Sequence, residues 1–149
     1  MLFFFYNYTT NSIPNLIFAE TKVAIFILGK PKFYPKMIQI YHNQRCGKSR
    51  NCLLFLEESN KEFEIINYLN TPPTVAELTL LLKKLKFSPI ELVRQKEKIW
   101  IENYKGKTLS DDQIIQAMVE NPILIERPIV VRDDQAIIGR DLSLVNPFI

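Results

Sequence analysis

The stretch Met37-Ile-Gln-Ile-Tyr-His-Asn-Gln-Arg-Cys46-Gly-Lys-Ser49 decides the fold of this chain, because it joins a strand to a helix through a cysteine. Residues 37–41 alternate well enough to predict a strand, and residues 42–47 are predicted as a loop. From residue 48 to residue 59 the apolar side chains Leu53, Leu54, Phe55 and Leu56 form a helical face. Cys46 is therefore predicted directly before the first turn of a helix.

The position of Cys46 favours a reactive thiolate. Unpaired backbone N–H groups and the positive end of the helix dipole stabilise a thiolate more than a thiol. Ser49, three residues on, offers a hydroxyl hydrogen bond to the sulfur. We expect the nearby basic side chains to act in the same direction; they are His42, Arg45, Lys48 and Arg50. Since a structural cysteine is usually buried among apolar groups, this polar setting predicts a nucleophile.

Spacing excludes three sites that share part of this pattern. Gly47-Lys48-Ser49 ends like a phosphate-binding P-loop, but His42 stands where that loop needs its first glycine. A phosphatase-type loop needs an arginine at the position of Cys52, and a Cys-x-x-Cys dithiol needs a cysteine at Ser49. Cys52 is too far from Cys46 to form a disulfide with it, because six helical residues rise about 9 Å and a disulfide needs Cα atoms within about 7 Å. Cys52 is therefore predicted as a small apolar helix residue.

The rest of residues 37–149 alternates between strands and helices. A second strand is predicted at 62–68, and Thr74 with Glu77 gives a capping-box pattern before a helix that reaches Leu85. Shorter helices are predicted at 89–93, 96–104 and 113–120, then two short strands at 128–131 and 136–138 joined by a hairpin, and a short tail. The first two strands need a crossover and the last two do not, so the order predicts an α/β fold with a mixed four-stranded sheet.

Residues 1–36 differ in composition from the rest. They hold more than half of the aromatic residues and four lysines against one glutamate, which leaves 15 basic and 15 acidic residues in 37–149. A neutral second segment argues against a nucleic-acid partner. The apolar run at 23–28 is far shorter than the roughly 20 residues of a spanning helix, so no membrane association is expected. We expect an irregular N-terminal extension, and we hypothesise that it is an artefact of start-site choice and that Met37 is the initiator.

Few residues are available to bind a metal. The chain has one histidine and two cysteines, so neither a zinc nor an iron site is expected. Low cysteine content is typical of the reducing cytosol. We therefore expect a cytoplasmic protein with no bound cofactor.

Five segments together resemble the thioredoxin-fold, glutaredoxin-dependent arsenate reductases. They are residues 40–51, 68–73, 92–96, 121–131 and 138–140, in the order of that family. The resemblance covers nearly all of residues 37–149 and none of 1–36. It implies a thioredoxin-like domain, with a mixed four-stranded sheet, flanking helices and a helical insertion, that reduces arsenate to arsenite.

The resemblance also implies roles for the residues around the cysteine. Cys46 matches the nucleophile that attacks arsenic(V) and displaces a hydroxide, while His42 and Ser49 match residues that tune and hold the thiolate. Glutathione, the co-substrate, then forms a mixed adduct, and glutaredoxin removes it and releases arsenite. Arg127-Pro128 resembles the cis-proline turn of the family. We expect the protein to act as a monomer.

Three arginines match the family's arsenate-binding residues: Arg94, Arg127 and Arg140. Guanidinium groups suit an oxyanion because their fork of donors fits its geometry. Each has a plainer interpretation as well. Arg94 lies in a polar run typical of a solvated helix face, and Arg140 precedes Asp141, as in a surface ion pair.

Two other functions fit the same fold. Spx-type transcriptional regulators contact RNA polymerase but usually carry a Cys-x-x-Cys switch, and here Ser49 replaces its second cysteine. A thiol-dependent reductase of another substrate would keep Cys46 and show no arsenate turnover. One departure from the family is Gln44, where many members have proline. Ser49 and the three arginines favour the arsenate reductase.

Overall fold

A computed structural model describes residues 37–149, so the expectations for residues 1–36 lie outside the described part of the chain. Its elements are β1 (Ile38–Tyr41), α1 (Gly47–Glu58), β2 (Phe63–Ile66), α2 (Val75–Leu85), α3 (Pro89–Leu92), α4 (Lys98–Asn103), α5 (Asp111–Glu120), a 3₁₀ turn (Pro122–Leu124), β3 (Ile129–Arg132), β4 (Gln135–Ile138) and α6 (Leu142–Phe148). No helix in this part of the chain is long and apolar enough to cross a membrane.

The four strands form one mixed sheet in the order β2-β1-β3-β4. Strand β1 pairs in parallel with β2, with Ile40 opposite Ile65, and antiparallel with β3, with Ile40 opposite Val130. Strands β3 and β4 form the predicted antiparallel hairpin. The mixed sheet predicted from the order of elements is therefore confirmed.

The sheet separates two apolar clusters, because side chains alternate between its faces. Ile38, Ile40 and Val130 pack with Leu56 of α1 and Val145 of α6. Ile129 and Val131, the neighbours of Val130 along β3, pack in the other cluster with helices α2 to α5. The sheet that contains β1 is thus packed on both faces, which fixes the position where β1 ends and the cysteine loop begins.

The predicted capping box at the start of α2 is present. The Thr74 hydroxyl accepts a hydrogen bond from the backbone N–H of Glu77 at 3.2 Å, and the Glu77 carboxylate accepts one from the Thr74 backbone N–H at 2.8 Å. Ser110 and Gln113 form an equivalent box at α5. These caps satisfy backbone donors that have no partner inside the helix.

The tail is the main correction to the predicted elements. Residues 142–148 form a helix, α6, although Pro147 lies inside it. Asp141 begins the helix by accepting a hydrogen bond from the Ser143 backbone N–H at 2.9 Å. Burial of Val145 against β1 and α1 stabilises this helix, and such packing between distant segments cannot be predicted from local propensity.

Gly139 is required by a close approach rather than by its backbone angles. A Cβ atom at this position would lie 2.8 Å from the Cys52 sulfur and 3.1 Å from Val130 Cγ2. Its N–H donates to the Pro128 carbonyl at 2.8 Å, which holds the backbone in place. The residue before Arg140 therefore has no room for a side chain.

We predict that Gly139→Ala lowers the free energy of unfolding by about 1–3 kcal/mol, the usual cost of overpacking a core. Urea unfolding of the full chain measures it. The matched control is Gly47→Ala, whose new Cβ would have its nearest neighbour at 3.8 Å and should leave stability nearly unchanged. In a Cys52→Ala background the cost of Gly139→Ala should fall, and an equal cost in both backgrounds would contradict the proposed contact.

Candidate active site

Cys46 is the N-cap residue of α1 and follows the carboxyl end of β1. Its φ and ψ angles are −97° and 119°, so the chain is still extended when the helix begins. The Cys46 N–H donates to the Asn43 carbonyl at 2.9 Å, and the His42 N–H donates to the Ile66 carbonyl of β2 at 2.9 Å. The Asn43 side chain accepts a hydrogen bond from the Arg45 N–H at 2.9 Å. The loop is therefore fixed at its start and at its turn.

Groups around the sulfur favour its charged form. Burial is the largest single influence and raises the pKa of the Cys46 thiol, but four hydrogen bonds together lower that pKa below its ordinary value. The donors are the backbone N–H groups of Ser49 and Lys48, the Arg127 side chain and the Ser49 hydroxyl. The buried Ser49 hydroxyl makes no hydrogen bond of normal geometry, to the sulfur included, so it acts on the Cys46 pKa as a nearby donor rather than through a formed bond.

The source of positive charge differs from the sequence prediction. Lys48 acts through its backbone N–H, and the Arg50 guanidinium donates to the Gln44 carbonyl at 2.9 Å. His42 is buried, and burial lowers its pKa, which disfavours the charged imidazolium. This shift argues against a positive charge at His42, while its role in tuning the thiolate stays a prediction. The cation beside Cys46 is Arg127, far away in the sequence.

Arg94 and Arg127 are brought together by two shared acceptors. Both guanidinium groups donate to the Ile123 carbonyl, Arg127 at 3.1 Å and Arg94 at 3.5 Å. Both also contact the Glu97 carboxylate: Arg94 forms an ion pair with it, and Arg127 Nη2 lies 3.8 Å from its Oε1. Arg127 is buried and Arg94 is half-buried. The solvated-helix interpretation of Arg94 is therefore wrong.

Arg140 joins this group through a second carboxylate. Its Nη1 lies 3.3 Å from Glu126 Oε2, and the same oxygen lies 3.4 Å from the backbone nitrogen of Arg127. The plainer interpretation, an ion pair with Asp141, does not hold, because the partner is Glu126. Arg94 and Arg127 thus share side-chain contacts, whereas Arg140 is linked to Arg127 only through Glu126 and the Arg127 backbone.

Two open clefts lie near the cysteine. One of about 190 Å³ is lined by His42, Asn43, Arg45 and Asn67, among others, and borders the cysteine loop. The other, of about 470 Å³, is lined by Lys48, Asn51, Arg140, Asp141 and Leu142, and lies beside the start of α1. Cys46 itself lines neither cleft.

The structure adds three residues that the sequence analysis did not single out: Tyr68, Glu97 and Glu126. Burial raises the pKa of Tyr68 to about 12, and Arg127 and Cys46 are near enough to affect it in opposite directions. Tyr68 and Glu126 belong to segments of the family resemblance, and Glu97 lies directly after one. Glu97 contacts Arg127 and Glu126 contacts Arg140, both distant in sequence. Their partners depend on side-chain directions that spacing alone does not give.

Cys52 is buried, and burial raises the pKa of its thiol to about 11. Both cysteines are free thiols. Among residues 37–149 no group of three or more His, Cys, Asp or Glu side chains is arranged to hold a metal ion. Cys52 is accordingly a small core residue, as predicted, and Cys46 is the cysteine whose pKa is lowered; its role as nucleophile stays a prediction.

Three comparisons place the chain among known proteins. A model of the ArsC family matches residues 41–148. An Escherichia coli K12 protein named YfgD, described as uncharacterized, is 50% identical over 107 residues, which cover 70% of this chain and 90% of that protein. An arsenate reductase of Neisseria meningitidis serogroup A is 37% identical over 108 residues, which cover 71% and 92% of the two chains.

A solved structure gives the same result for the fold. An arsenate reductase from Vibrio cholerae superposes with a TM-score of 0.72 at 40% identity, covering 76% of this chain and 98% of that one. The predicted thioredoxin-like α/β fold is therefore confirmed.

We predict that Cys46 is alkylated by iodoacetamide with a pH midpoint below that of a free thiol, because its lowered pKa leaves more thiolate at neutral pH. Ser49→Ala should raise the midpoint by removing the hydroxyl donor. The control is Ser59→Ala, at the other end of α1, where the hydroxyl donates to the Leu56 carbonyl at 2.7 Å. Peptide mapping should find Cys52 unmodified in the folded protein, and equal midpoints in the wild type and Ser49→Ala would contradict this account of the site.

Proposed function

Because this chain belongs to the ArsC family, we propose that it reduces arsenate to arsenite through the Cys46 thiolate, with glutathione and glutaredoxin as electron donors. The observation that carries the proposal is the placement of Cys46 on the N-cap of α1 with the Arg127 side chain beside its sulfur. One position thus offers a nucleophile and a cation suited to an oxyanion. Relatives named arsenate reductase, 37% and 40% identical to this chain, support the choice of arsenate.

The first step is attack by the Cys46 sulfur on arsenic. A thiolate and an arsenate anion repel each other unless nearby cations neutralise the charge. Arg127 is placed to do so at the sulfur, and Arg94 shares two of its contacts. The sulfur–arsenic bond forms as an arsenic–oxygen bond breaks, and the oxygen leaves as hydroxide or, with a proton, as water.

The electrons come from two further thiols. In the proposed sequence glutathione replaces a second oxygen on arsenic, which gives a mixed adduct between Cys46 and glutathione. The thiolate of glutaredoxin then attacks the glutathione sulfur and forms a mixed disulfide. As that sulfur–sulfur bond forms, the arsenic–sulfur bond to glutathione breaks and leaves its electron pair on arsenic, which reduces arsenic(V) to arsenic(III). Hydroxide from water then displaces the Cys46 sulfur from arsenic(III), so arsenite leaves and Cys46 returns to the thiolate.

His42 and Ser49 act on the sulfur rather than on arsenate in this proposal. The Ser49 hydroxyl and N–H hold the thiolate. His42 is neutral, and its buried Nδ1 has no hydrogen-bond partner among the described residues, so we assign it to the shape and polarity of the loop. A reducing cytoplasm suits a mechanism that needs free thiols, and we propose that compartment. The monomer expected from the sequence stays a prediction.

The chain lacks the internal dithiol of an Spx-type regulator. Ser49 stands at the second cysteine of that switch, and Cys52 is buried with a raised pKa. A switch needs a resolving thiol that can reach Cys46, and no other cysteine exists in the chain. These observations favour a reductase that takes its second thiol from glutathione.

We predict arsenate-dependent oxidation of NADPH by the full chain with glutathione, glutaredoxin and glutathione reductase. Cys46→Ser should abolish turnover because it removes the nucleophile. Cys52→Ser is the matched control, and it should keep activity as long as the fold is retained, which circular dichroism checks.

Turnover that survives in Cys46→Ser would contradict the mechanism. A wild-type protein that alkylates rapidly at Cys46 but turns over no arsenate would contradict the substrate assignment and leave a reductase of another substrate.

A further inference from the structure

Every arginine of the candidate site already has a carboxylate partner. Glu97 contacts Arg94 and Arg127, and Glu126 contacts Arg140. Three guanidinium groups therefore face two carboxylates, and the Cys46 thiolate balances the remaining charge. An oxyanion that enters this site competes with negative charges that belong to the protein itself.

Glu97 stands at a helix N-cap, but its side chain contacts the arginines and does not cap the helix. It is the N-cap residue of α4, a position where a side-chain oxygen usually accepts a hydrogen bond from the first turn. Thr74 and Ser110 do this at α2 and α5, whereas the Glu97 side chain makes no capping bond. Its carboxylate turns instead to Arg94 and Arg127.

The arginine pair does not depend on Glu97 for its position. Both guanidinium groups also donate to the Ile123 carbonyl, at 3.1 Å and 3.5 Å. That carbonyl belongs to the 3₁₀ turn, whose ends are closed by backbone hydrogen bonds from Leu124 to Asn121 and from Ile125 to Pro122. Removing the charge of Glu97 would therefore leave the two arginines held by a backbone acceptor.

We propose that Glu97 is a specificity-determining residue, because its carboxylate competes with incoming anions for the guanidinium groups of Arg94 and Arg127. Only an anion with more charge or more acceptor oxygens than one carboxylate displaces Glu97 from them. Glu97 lies partly exposed at the arginine pair, so its side chain can swing toward water when the anion arrives. A tetrahedral dianion meets the requirement through two guanidinium forks, whereas a monocarboxylate or a chloride ion does not. The choice of arsenate as the natural anion rests on the proposed function. The competition between Glu97 and a tetrahedral dianion does not depend on that choice.

The experiment measures how much anion is needed to protect Cys46 from iodoacetamide. Sulfate serves as a tetrahedral dianion that undergoes no reduction, and arsenate is tested beside it at constant ionic strength. Glu97→Gln removes the charge and keeps the size and an acceptor oxygen. Glu102→Gln is the matched control, because Glu102 is exposed and pairs with Lys98 at 3.6 Å, away from the arginines.

We expect Glu97→Gln to lower the half-protecting concentrations of sulfate and arsenate about three- to fivefold, because it removes a partly exposed negative charge that competes with them. Glu102→Gln should leave both concentrations unchanged. Tighter anion binding cannot arise from a damaged fold, so a purely structural role for Glu97 predicts the opposite sign. Unchanged or weaker protection by sulfate in Glu97→Gln would overturn the proposal, and so would a wild-type protein that sulfate does not protect. Protection by sulfate without arsenate turnover would count against the proposed function alone.

Discussion

In the proposed mechanism a thiolate attacks an anion and therefore needs positive charge beside it, and the residues that surround Cys46 supply that charge. The Cys46 sulfur meets it first with backbone donors, because the N–H groups of Ser49 and Lys48 at the start of α1 point at it. These donors exist only if the chain is extended at Cys46 and helical from Gly47 onward. Strand β1 leads into the turn that precedes Cys46, and its pairing with β2 and β3 on both edges holds the start of that turn in place.

The second contribution comes from arginines that are distant in sequence. Arg127 is nearly buried, which would be costly for an unpaired guanidinium group. The Ile123 carbonyl and the Glu97 carboxylate offset part of that cost in the resting state. The same contacts weaken the attraction between Arg127 and an incoming anion, because part of its charge is already neutralised. If Glu97 competes with the anion as proposed, stability of the empty site and affinity for the substrate oppose each other at this residue.

Several elements of the fold were predictable from short sequence patterns. The strand at 37–41, the helix after Cys46, the capping box of Thr74 and Glu77, and the hairpin near residue 133 were predicted from patterns a few residues long. The family resemblance supplied the three arginines and the turn at Pro128, which is cis in the structure. Helix α6 was missed because its stability comes from packing against distant segments.

What the sequence could not give were side-chain directions and burial. The basic residues beside Cys46 were expected to act through their charges, but Arg50 turns to the Gln44 carbonyl. His42 was expected to be cationic, yet burial lowers its pKa. Glu97 looked like one more charge in a polar helix and instead bridges two arginines. The Glu97 bridge joins segments that lie far apart along the chain, and the Arg50 contact, although local, depends on how the loop turns before α1.

The most direct test of the account is the covalent state of Cys46 when the last reductant is withheld. The full chain is incubated with arsenate and glutathione without glutaredoxin, and its mass is measured intact and after peptide mapping. The account predicts an adduct on the Cys46 peptide that contains both arsenic and glutathione. A protein that stays unmodified, or that carries glutathione without arsenic, would contradict the attack of Cys46 on arsenate.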